Sequence, residues 1–319
     1  MKLHKDQVYS LSSLCGLLGL SRQAYYQHKE FNYERLIAEG FVLEHVRKLR
    51  KKAPQLGCRK LYVMCKEYFG ELLSMGRDQF LCLLRRHGLM LRLKKRRICK
   101  TTDSSHSYPL HPDLAKGFVP SAINQLWVSD ITYIWTEKGF CFLSLVTDAY
   151  SHSIVGWRLA PTLKYKYTEE ALRMAIDGTS SSLEGLIHHS DRGFQYAYKL
   201  YTDLLGKNQI RISMTQSSDP RDNAIAERMN GILKQEWLNY HQFTDMEHVR
   251  KVLEPAIEFY NTERPHSSVG MLTPAQAALC TGELKNLWKP KKKSEADLVV
   301  ANKAAIAFLC GDNQTMETF

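Results

Sequence analysis

The sequence lacks several common signatures, and each absence excludes a class of protein. Its eight cysteines include no C-x-x-C pair, which argues against a zinc ribbon or a thioredoxin-like redox site. They lie among apolar neighbours, as in FCFLSLV, a pattern typical of reduced core residues in a cytoplasmic protein. No apolar run approaches the ~20 residues that cross a membrane. The sequence has no sustained heptad repeat, so no coiled coil is predicted.

Acidic residues are in the minority. The 319-residue chain has 33 Asp and Glu against 44 Lys and Arg, a formal net charge of +11. This balance favours a polyanionic partner, with nucleic acid first and an anionic membrane surface second. The alternative is a basic protein without such a partner. The densest basic runs are LRLKKRRICK (91–100) and WKPKKKSE (288–295), although an isolated run of this kind is more often a solvated linker.

Residues 1–90 are predicted to form an all-helical region. The first apolar face at helical spacing consists of Leu11, Leu14, Cys15 and Leu18. Gly19 can end that helix and Ser21 can cap the next, which predicts either a helix-turn-helix that binds DNA or an ordinary helical hairpin. Further helices are predicted at 34–50, in PQLGCRKLYVMCKEYFG after its Pro/Gly break, and in GRDQFLCLLRRHGL. The start lacks the small-x-small cleavage site of a secretory signal, so we expect it to belong to the mature protein.

The rest of the chain is predicted to be a linker, an α/β domain and a tail. Residues 91–122 are basic and then Ser/His/Pro-rich, which is typical of a linker. Three β-rich segments with short connections follow, LWVSDITYIWT, GFCFLSLVTDAYS and HSIVGWRLA, and predict an antiparallel meander. Helix, strand, helix, strand and a long helix come next. Residues 123–280 are thus predicted to form a mixed five-stranded sheet with helices on both faces, and residues 281–319 a basic, weakly ordered tail.

Three acidic residues of this domain are candidates for chemistry. Asp130 lies inside the first strand, where an ionised carboxylate is costly unless it is paired or binds a cation; a position at the sheet edge is the alternative. Asp191 ends the short strand LIHHSD, where α/β sheets gather ligands, although a helix cap fits equally well. Glu227 lies one helical turn beyond Asn223, and taken alone it is an ordinary solvent-facing glutamate.

The order and spacing of these carboxylates favour one common site. About 60 residues separate the two aspartates and about 35 separate Asp191 from Glu227. Two carboxylates on strands and one on a helix, in this order of secondary-structure elements, are the ligands that a two-metal phosphoryl-transfer site requires. Mg²⁺ and Mn²⁺ prefer oxygen ligands. Two such ions ~4 Å apart can activate an attacking hydroxyl and stabilise the leaving oxygen.

Several motifs together resemble one known family. They are LWVSDITYI, LSLVTDAYSHSIVGW, HHSDRGFQY, DNAIAERMNGILKQE and YNTERPHSSVGMLTP. On these motifs the sequence resembles the orfB-type transposases of bacterial insertion sequences, within the retroviral-integrase (DDE) superfamily. The resemblance is strong over about 124–279 and weaker over the helical segments. It implies an integrase catalytic core with a ribonuclease-H-like fold and an Asp-Asp-Glu triad.

The resemblance implies roles for individual residues. Asp130, Asp191 and Glu227 would be the catalytic triad and hold two Mg²⁺ ions, for which Mn²⁺ can substitute. DNA contacts or support of these ligands are implied for Lys234, Arg192, Asn223, His189, Arg264 and His266. Lys234 lies seven residues after Glu227, on nearly the same helix face, and could hold a DNA phosphate; a surface lysine is the alternative.

The other members of this group have ordinary alternatives too. For each arginine the alternative is a loop salt bridge, for Asn223 a hydrogen bond at the helix start, and for His266 packing in a turn. His189 and its neighbour His188 are more typical of strand residues than of metal ligands, because hard cations prefer oxygen. Asp148 also matches a family position and is predicted to be a turn carboxylate or a support for the site.

Three functions remain open at this point. The first is a transposase: water attacks a phosphodiester at the element end, and the released 3′-OH attacks another DNA strand. The others are a ribonuclease-H-type nuclease and a catalytically degenerate DNA-binding regulator. The resemblance favours the first. It implies as partners the insertion-sequence ends, target DNA, an upstream reading-frame product, alone or fused, and further copies in a homo-multimer on DNA, all in the bacterial cytoplasm at the nucleoid.

Overall fold

The computed structural model of the chain describes residues 9–91, 109–216 and 223–287. Nearly all of both dense basic runs, most of the predicted linker and most of the predicted tail lie outside these residues. Within the described ranges, no helix combines the length and the apolar character needed to span a membrane.

The described N-terminal part is helical, as predicted. Its helices are α1 (Leu11–Leu17), α2 (Arg22–Lys52), α3 (Cys58–Phe69) and α4 (Arg77–Arg86). The turn between α1 and α2 is confirmed: Gly19 has a φ of +66°, and Oγ of Ser21 accepts a hydrogen bond from N–H of Ala24 at 3.0 Å. The prediction of a separate helix at 34–50 is wrong. No glycine or proline interrupts the chain between Arg22 and Glu39, so α2 continues through that stretch.

The sheet has the predicted mixed topology. Its strands are β1 (Leu126–Thr136), β2 (Gly139–Asp148), β3 (Ile154–Ala160), β4 (Ile187–Ser190) and β5 (Arg211–Met214). They lie in the order β3-β2-β1-β4-β5. The first three are antiparallel neighbours, whereas β4 runs parallel to β1 and β5 runs parallel to β4. The predicted five-stranded sheet is therefore confirmed.

Helices cover both faces of the sheet. One face packs against α5 (Tyr165–Asp177), α6 (Phe194–Ala197) and α7 (Lys199–Lys207). The other packs against α8 (Ala224–Glu236) and α9 (Met246–Thr262), and the short α10 (Pro274–Ala278) follows. A Cβ at Gly156 would lie 2.1 Å from the carbonyl oxygen of Ala171, which shows how closely α5 approaches β3. This is the ribonuclease-H-like fold that the resemblance implied.

The N-terminal helices share a hydrophobic core with this domain. Val46 of α2, Leu61 of α3 and Phe80 of α4 belong to the same buried cluster as residues of β2, α8 and α9. Nε1–H of Trp237 also donates to the carbonyl oxygen of Lys52 at 2.8 Å. The end of α2, together with α3 and α4, is therefore fixed against the helices that follow the sheet.

Candidate active site

The pairing of β1 with β4 brings two predicted carboxylates together. Ser129 of β1 pairs with Ser190 of β4 in the last step of their parallel ladder. Asp130 and Asp191 are the next residues on the two chains. Both line one cavity of about 110 Å³, together with Thr132, Tyr133, Gly193 and others. The cavity thus lies at the carboxyl end of β4, where α/β sheets present ligands.

Hydrogen bonds fix the orientation of both carboxylates. Oδ1 of Asp130 accepts from N–H of Ile131 at 2.9 Å, and Oδ2 accepts from Nδ2 of Asn230 on α8 at 2.9 Å. Oδ1 of Asp191 accepts from N–H of Gly193 at 3.0 Å. A Cβ at Gly193 would lie 3.0 Å from that same Asp191 oxygen, so glycine allows the loop to close on the carboxylate. These contacts hold the two acidic groups in place.

The electrostatics of the cavity disfavour negative charge on Asp130. Burial raises the pKa of Asp130 to about 7, and the nearby charges of Asp191 and Glu227 add to the effect. The hydrogen bonds from Asn230 and Ile131 act in the opposite direction and are outweighed. A cation bound between the carboxylates would relieve this repulsion.

Glu227 is the third predicted carboxylate and lies at the edge of the site. It is in the first turn of α8, where its side chain is exposed. The start of α8 is held against β1 because Nδ2 of Asn223 donates to the carbonyl oxygen of Ser129 at 2.9 Å. In the part of the chain that the structure describes, no three His, Cys, Asp or Glu side chains lie close enough to hold one metal ion. The structure therefore joins the two aspartates and leaves Glu227 outside their immediate group.

The donor atoms of the pair suit a hard divalent cation. Asp130 and Asp191 offer carboxylate oxygens in one cavity, and oxygen is the ligand that Mg²⁺ and Mn²⁺ prefer. The pKa of Asp130 is raised first by burial and then by the charge of Asp191, and a bound cation would offset both effects. By donor chemistry and electrostatics the two aspartates fit a metal ion, and Glu227 would complete the set only by moving closer.

The raised pKa of Asp130 predicts how the metal-free protein responds to pH. The ordinary pKa of the group is 3.8 and its pKa in the fold is about 7, so the folded state binds the proton more tightly. The contribution of Asp130 to stability is therefore present at low pH and is lost as pH rises toward 7 and above. Asp130→Asn cannot ionise. In EDTA we expect its free energy of unfolding, relative to that of the unmodified protein, to be larger at pH 8 than at pH 5, so that the variant is relatively more stable at the higher pH.

Chemical denaturation at both pH values measures this difference. Asp203→Asn, at an exposed position of α7, is the control and should show the same relative stability at pH 5 and pH 8. The raised pKa of Asp130 would be contradicted if the free energy of unfolding of Asp130→Asn, relative to that of the unmodified protein, were the same at both pH values.

Two predicted basic residues lie beside the cavity. Nζ of Lys234 on α8 lies 4.3 Å from the ring centroid of Tyr133, which itself lines the cavity. Nε of Arg192 donates to the carbonyl oxygen of Thr215 at 2.7 Å, and its Nη2 donates to the carbonyl of Gln216. Arg192 thus ties the loop after β4 to the end of β5, whereas Lys234 places a positive charge over Tyr133, which lines the cavity.

The two adjacent histidines are buried in the sheet. Nδ1 of His189 lies 2.8 Å from Oγ of Ser213 on β5. Nε2 of His188 lies 2.8 Å from Oγ of Ser129 and 2.9 Å from the hydroxyl of Tyr201. Burial lowers the pKa of His188 to about 3, so it is neutral at physiological pH. His189 supports the strand pair β4–β5.

Three other predicted positions do not line the cavity. Arg264 is buried in a bidentate salt bridge to Glu236 at the end of α8, with contacts of 2.8 and 2.7 Å. His266 is buried and stacks on His152 at 4.6 Å between ring centroids, and burial lowers its pKa to about 2. Asp148 accepts hydrogen bonds from N–H and Oγ of Ser151 at 2.7 Å each, which confirms a turn carboxylate.

Sequence reasoning missed one residue that touches the site. Asn230 donates to Asp130 and lies three residues after Glu227, on the same side of α8. That helical spacing was a usable signal. The Oδ1 atom of Asn230 is buried and has no hydrogen-bond partner in the structure.

Comparison with known proteins identifies the family of the chain. Two models described as "Integrase core domain" match residues 120–220 and 208–274. The 31 kDa protein of insertion element IS600 from Shigella sonnei is 35% identical over 272 residues, covering 82% of this chain and 96% of that protein. The transposase InsF of IS3A from Escherichia coli K12 is 33% identical over 195 residues, covering 60% of this chain and 67% of InsF. The chain belongs to the insertion-sequence transposases of the retroviral-integrase superfamily.

This transposase also has relatives at lower identity. The transposase of IS629 from Shigella sonnei is 26% identical over 276 residues, covering 84% of this chain and 91% of that protein. Among solved structures, the HTLV-2 integrase catalytic core in complex with magnesium is 17% identical with a TM-score of 0.41, covering 50% of this chain and 99% of that one. Membership of the family supports DNA transposition as the general activity and makes the chain a polynucleotidyl transferase.

Proposed function

We propose that this transposase is a metal-dependent DDE enzyme that cleaves the ends of an insertion sequence and joins them to target DNA. The observation that carries the proposal is the meeting of Asp130 and Asp191 over one cavity at the ends of two parallel strands. Two carboxylates with a strongly raised pKa on one of them are typical of a site built for cations and phosphates.

Asp130 and Asp191 would hold Mg²⁺ or Mn²⁺, with Glu227 as a third ligand. Bound there, such ions supply charge neutralisation at the reacting phosphate and a more acidic attacking hydroxyl. The chain does the positioning. Asn230 and the N–H of Ile131 orient Asp130, and the N–H of Gly193 orients Asp191. Asn223 fixes the start of α8 against β1 and so limits the positions that Glu227 can reach.

The reaction has two displacements at phosphorus. In the first, water attacks a phosphodiester at the element end, the bond to the 3′ oxygen breaks, and that oxygen leaves as a 3′-OH. In the second, the 3′-OH attacks a target phosphodiester and displaces the target's own 3′ oxygen. In this proposal Lys234, whose Nζ lies over the ring of Tyr133, holds a DNA phosphate. Neither step needs a covalent enzyme intermediate.

The partners follow from this chemistry. They are the element ends, target DNA and further copies of the chain, because two ends must be joined together. An upstream reading-frame product, separate or fused, is part of the same proposal. Arg192, His189, Arg264 and His266 act as supports within the fold, since each has a protein contact that occupies it.

A cleavage and strand-transfer assay on labelled element-end DNA tests the proposal. With Mg²⁺ we expect 3′-OH ends and joined products from the unmodified chain and neither from Glu227→Gln. If both proteins are inactive, the assay is repeated with the upstream frame fused to each. Cleavage of an RNA–DNA hybrid without any DNA joining would instead identify a ribonuclease-H-type nuclease.

A further inference from the structure

Four aromatic side chains share one face of the β1–β2 hairpin. The antiparallel register pairs Tyr133 with Phe142 and Trp135 with Phe140, and directly opposed residues point to the same side of a sheet. Tyr133 and Trp135 are two residues apart on β1, so all four rings lie on one face. We name these residues the aromatic platform.

The aromatic platform begins inside the candidate active site and ends in solvent. Its inner pair, Tyr133 and Phe142, lines the cavity that contains Asp130 and Asp191. Its outer pair is strongly exposed: Trp135 keeps 62% and Phe140 52% of their accessible surface. The surface is therefore continuous with the place where a phosphodiester would react.

Hairpin stability alone does not account for this surface. Cross-strand aromatic pairs do stabilise sheets, and the rings of Trp135 and Phe140 meet edge to face at 4.8 Å between centroids. Yet two large rings more than half exposed, adjoining a cavity, form an apolar patch of the kind that marks a binding site. Edge-to-face packing also leaves ring surface available to a ligand.

The charge next to the platform identifies the kind of ligand. Nζ of Lys234 lies 4.3 Å from the centroid of Tyr133, at the inner end of the platform. A cation at one end of a row of flat aromatic rings fits a nucleotide strand, whose phosphates are anionic and whose bases stack.

We propose that the aromatic platform stacks unpaired bases of the DNA strand next to the reacting phosphate. This proposal rests on the proposed function and adds the form of its substrate. Trp135 is five residues beyond Asp130, about 16 Å along the strand. At roughly 3.4 Å for each stacked base, this distance spans about five nucleotides. Inside a duplex, the faces of each base are covered by the neighbouring bases. A protein ring can therefore stack on bases of this strand only if the DNA end is unpaired over part of that length.

A binding measurement in Ca²⁺, without turnover, tests the proposal. The probes are two duplexes of the same element-end sequence, one fully paired and one with five mispaired terminal steps carrying 2-aminopurine. We expect the unmodified protein to prefer the mispaired end and to quench its fluorescence. The double variant Trp135→Ala/Phe140→Ala should bind that end about 10- to 100-fold more weakly and leave the paired duplex unaffected.

Two controls make the outcome specific. Tyr68→Ala removes a ring that is 69% exposed on α3 and should leave the preference unchanged. Trp135→Phe/Phe140→Tyr keeps flat rings and should restore most of the binding. The platform proposal is overturned if the alanine double variant keeps the preference, or if it loses self-association in sedimentation while binding the mispaired end normally.

The binding test is independent of the proposed chemistry. Glu227→Gln should still prefer the mispaired end, because it retains the aromatic platform. In the unmodified protein, stacking without any cleavage or joining would therefore count against the proposed chemistry alone, and normal cleavage with no stacking would count against the platform alone.

Discussion

Asp191→Asn is expected to lose DNA cleavage and strand transfer together, by about 1,000-fold or more in Mg²⁺. The substitution keeps the size of the side chain and one oxygen, which can still accept the hydrogen bond from N–H of Gly193. It removes the negative charge and one metal-binding oxygen from the cavity shared with Asp130. Both displacements use the same carboxylates, so both products should disappear.

Single-turnover assays and DNA binding, measured on the same preparation, separate chemistry from folding. We expect Asp191→Asn to bind element-end DNA within a few-fold of the unmodified protein and to melt normally. Asp203→Asn changes an exposed aspartate of α7 and should keep full activity. Strand transfer by Asp191→Asn at more than a tenth of the normal rate would rule out the assignment of this residue.

The sheet could be predicted from sequence because its strands carry local signals. β1, β2 and β3 are apolar, β-rich segments with short connections, and adjacent segments of this kind pair as a meander. The pairing of β1 with β4 is different in kind. It joins segments about 60 residues apart, and no local pattern states that Ser129 lies opposite Ser190. The meeting of Asp130 with Asp191 was expected only from spacing and family resemblance.

Helix boundaries show the limits of the same reasoning. A new helix was predicted at residue 34, whereas α2 runs unbroken from Arg22 to Lys52. Amphipathic periodicity weakens over its first half, where Tyr26 and Tyr33 are exposed, so the pattern indicates a boundary that the backbone does not have. Helical hydrogen bonds need no apolar face, and no Gly or Pro lies between Arg22 and Glu39 to end the helix there.

The buried salt bridges were the hardest features to predict from the sequence. Arg264 was assigned to DNA contact or site support, but its partner Glu236 is 28 residues away and a second partner of that carboxylate, Lys60, is 176 residues away. Such a cluster arises only when α3, α8 and the end of α9 are packed together. The sequence shows three ordinary charged residues and gives no sign that they share one site.

This cluster leads to the second large expected effect. Glu236→Gln should lower the free energy of unfolding by about 3–5 kcal/mol, because it leaves two cations without their buried anion. Oε1 of Glu236 contacts Nζ of Lys60 at 2.9 Å and Nη2 of Arg264 at 2.7 Å. Burial opposes ionisation of Glu236, yet the bonds from Arg264 and Lys60 outweigh it and lower its pKa. The carboxylate is thus ionised and fully engaged.

A matched substitution at an exposed salt bridge gives the control. Glu263→Gln removes the partner of Lys52, whose contact is 2.8 Å long but lies in solvent, and should change stability by about 1 kcal/mol or less. Urea denaturation of both variants provides the comparison. Equal losses at Glu236 and Glu263 would mean that the buried cluster is not a stabilising unit.

The same cluster should influence the active site through α8. Glu236 is the last residue of that helix, and Asn230 and Glu227 lie on it toward its start. Replacing Glu236, Arg264 and Lys60 together by apolar residues of similar size removes the three charges of this cluster, so stability should recover much of the loss. If the ion cluster only stabilises the fold, activity should recover with it. If it also fixes the position of α8, strand transfer should stay low even though the protein is stable, because Asn230 would no longer orient the carboxylate of Asp130.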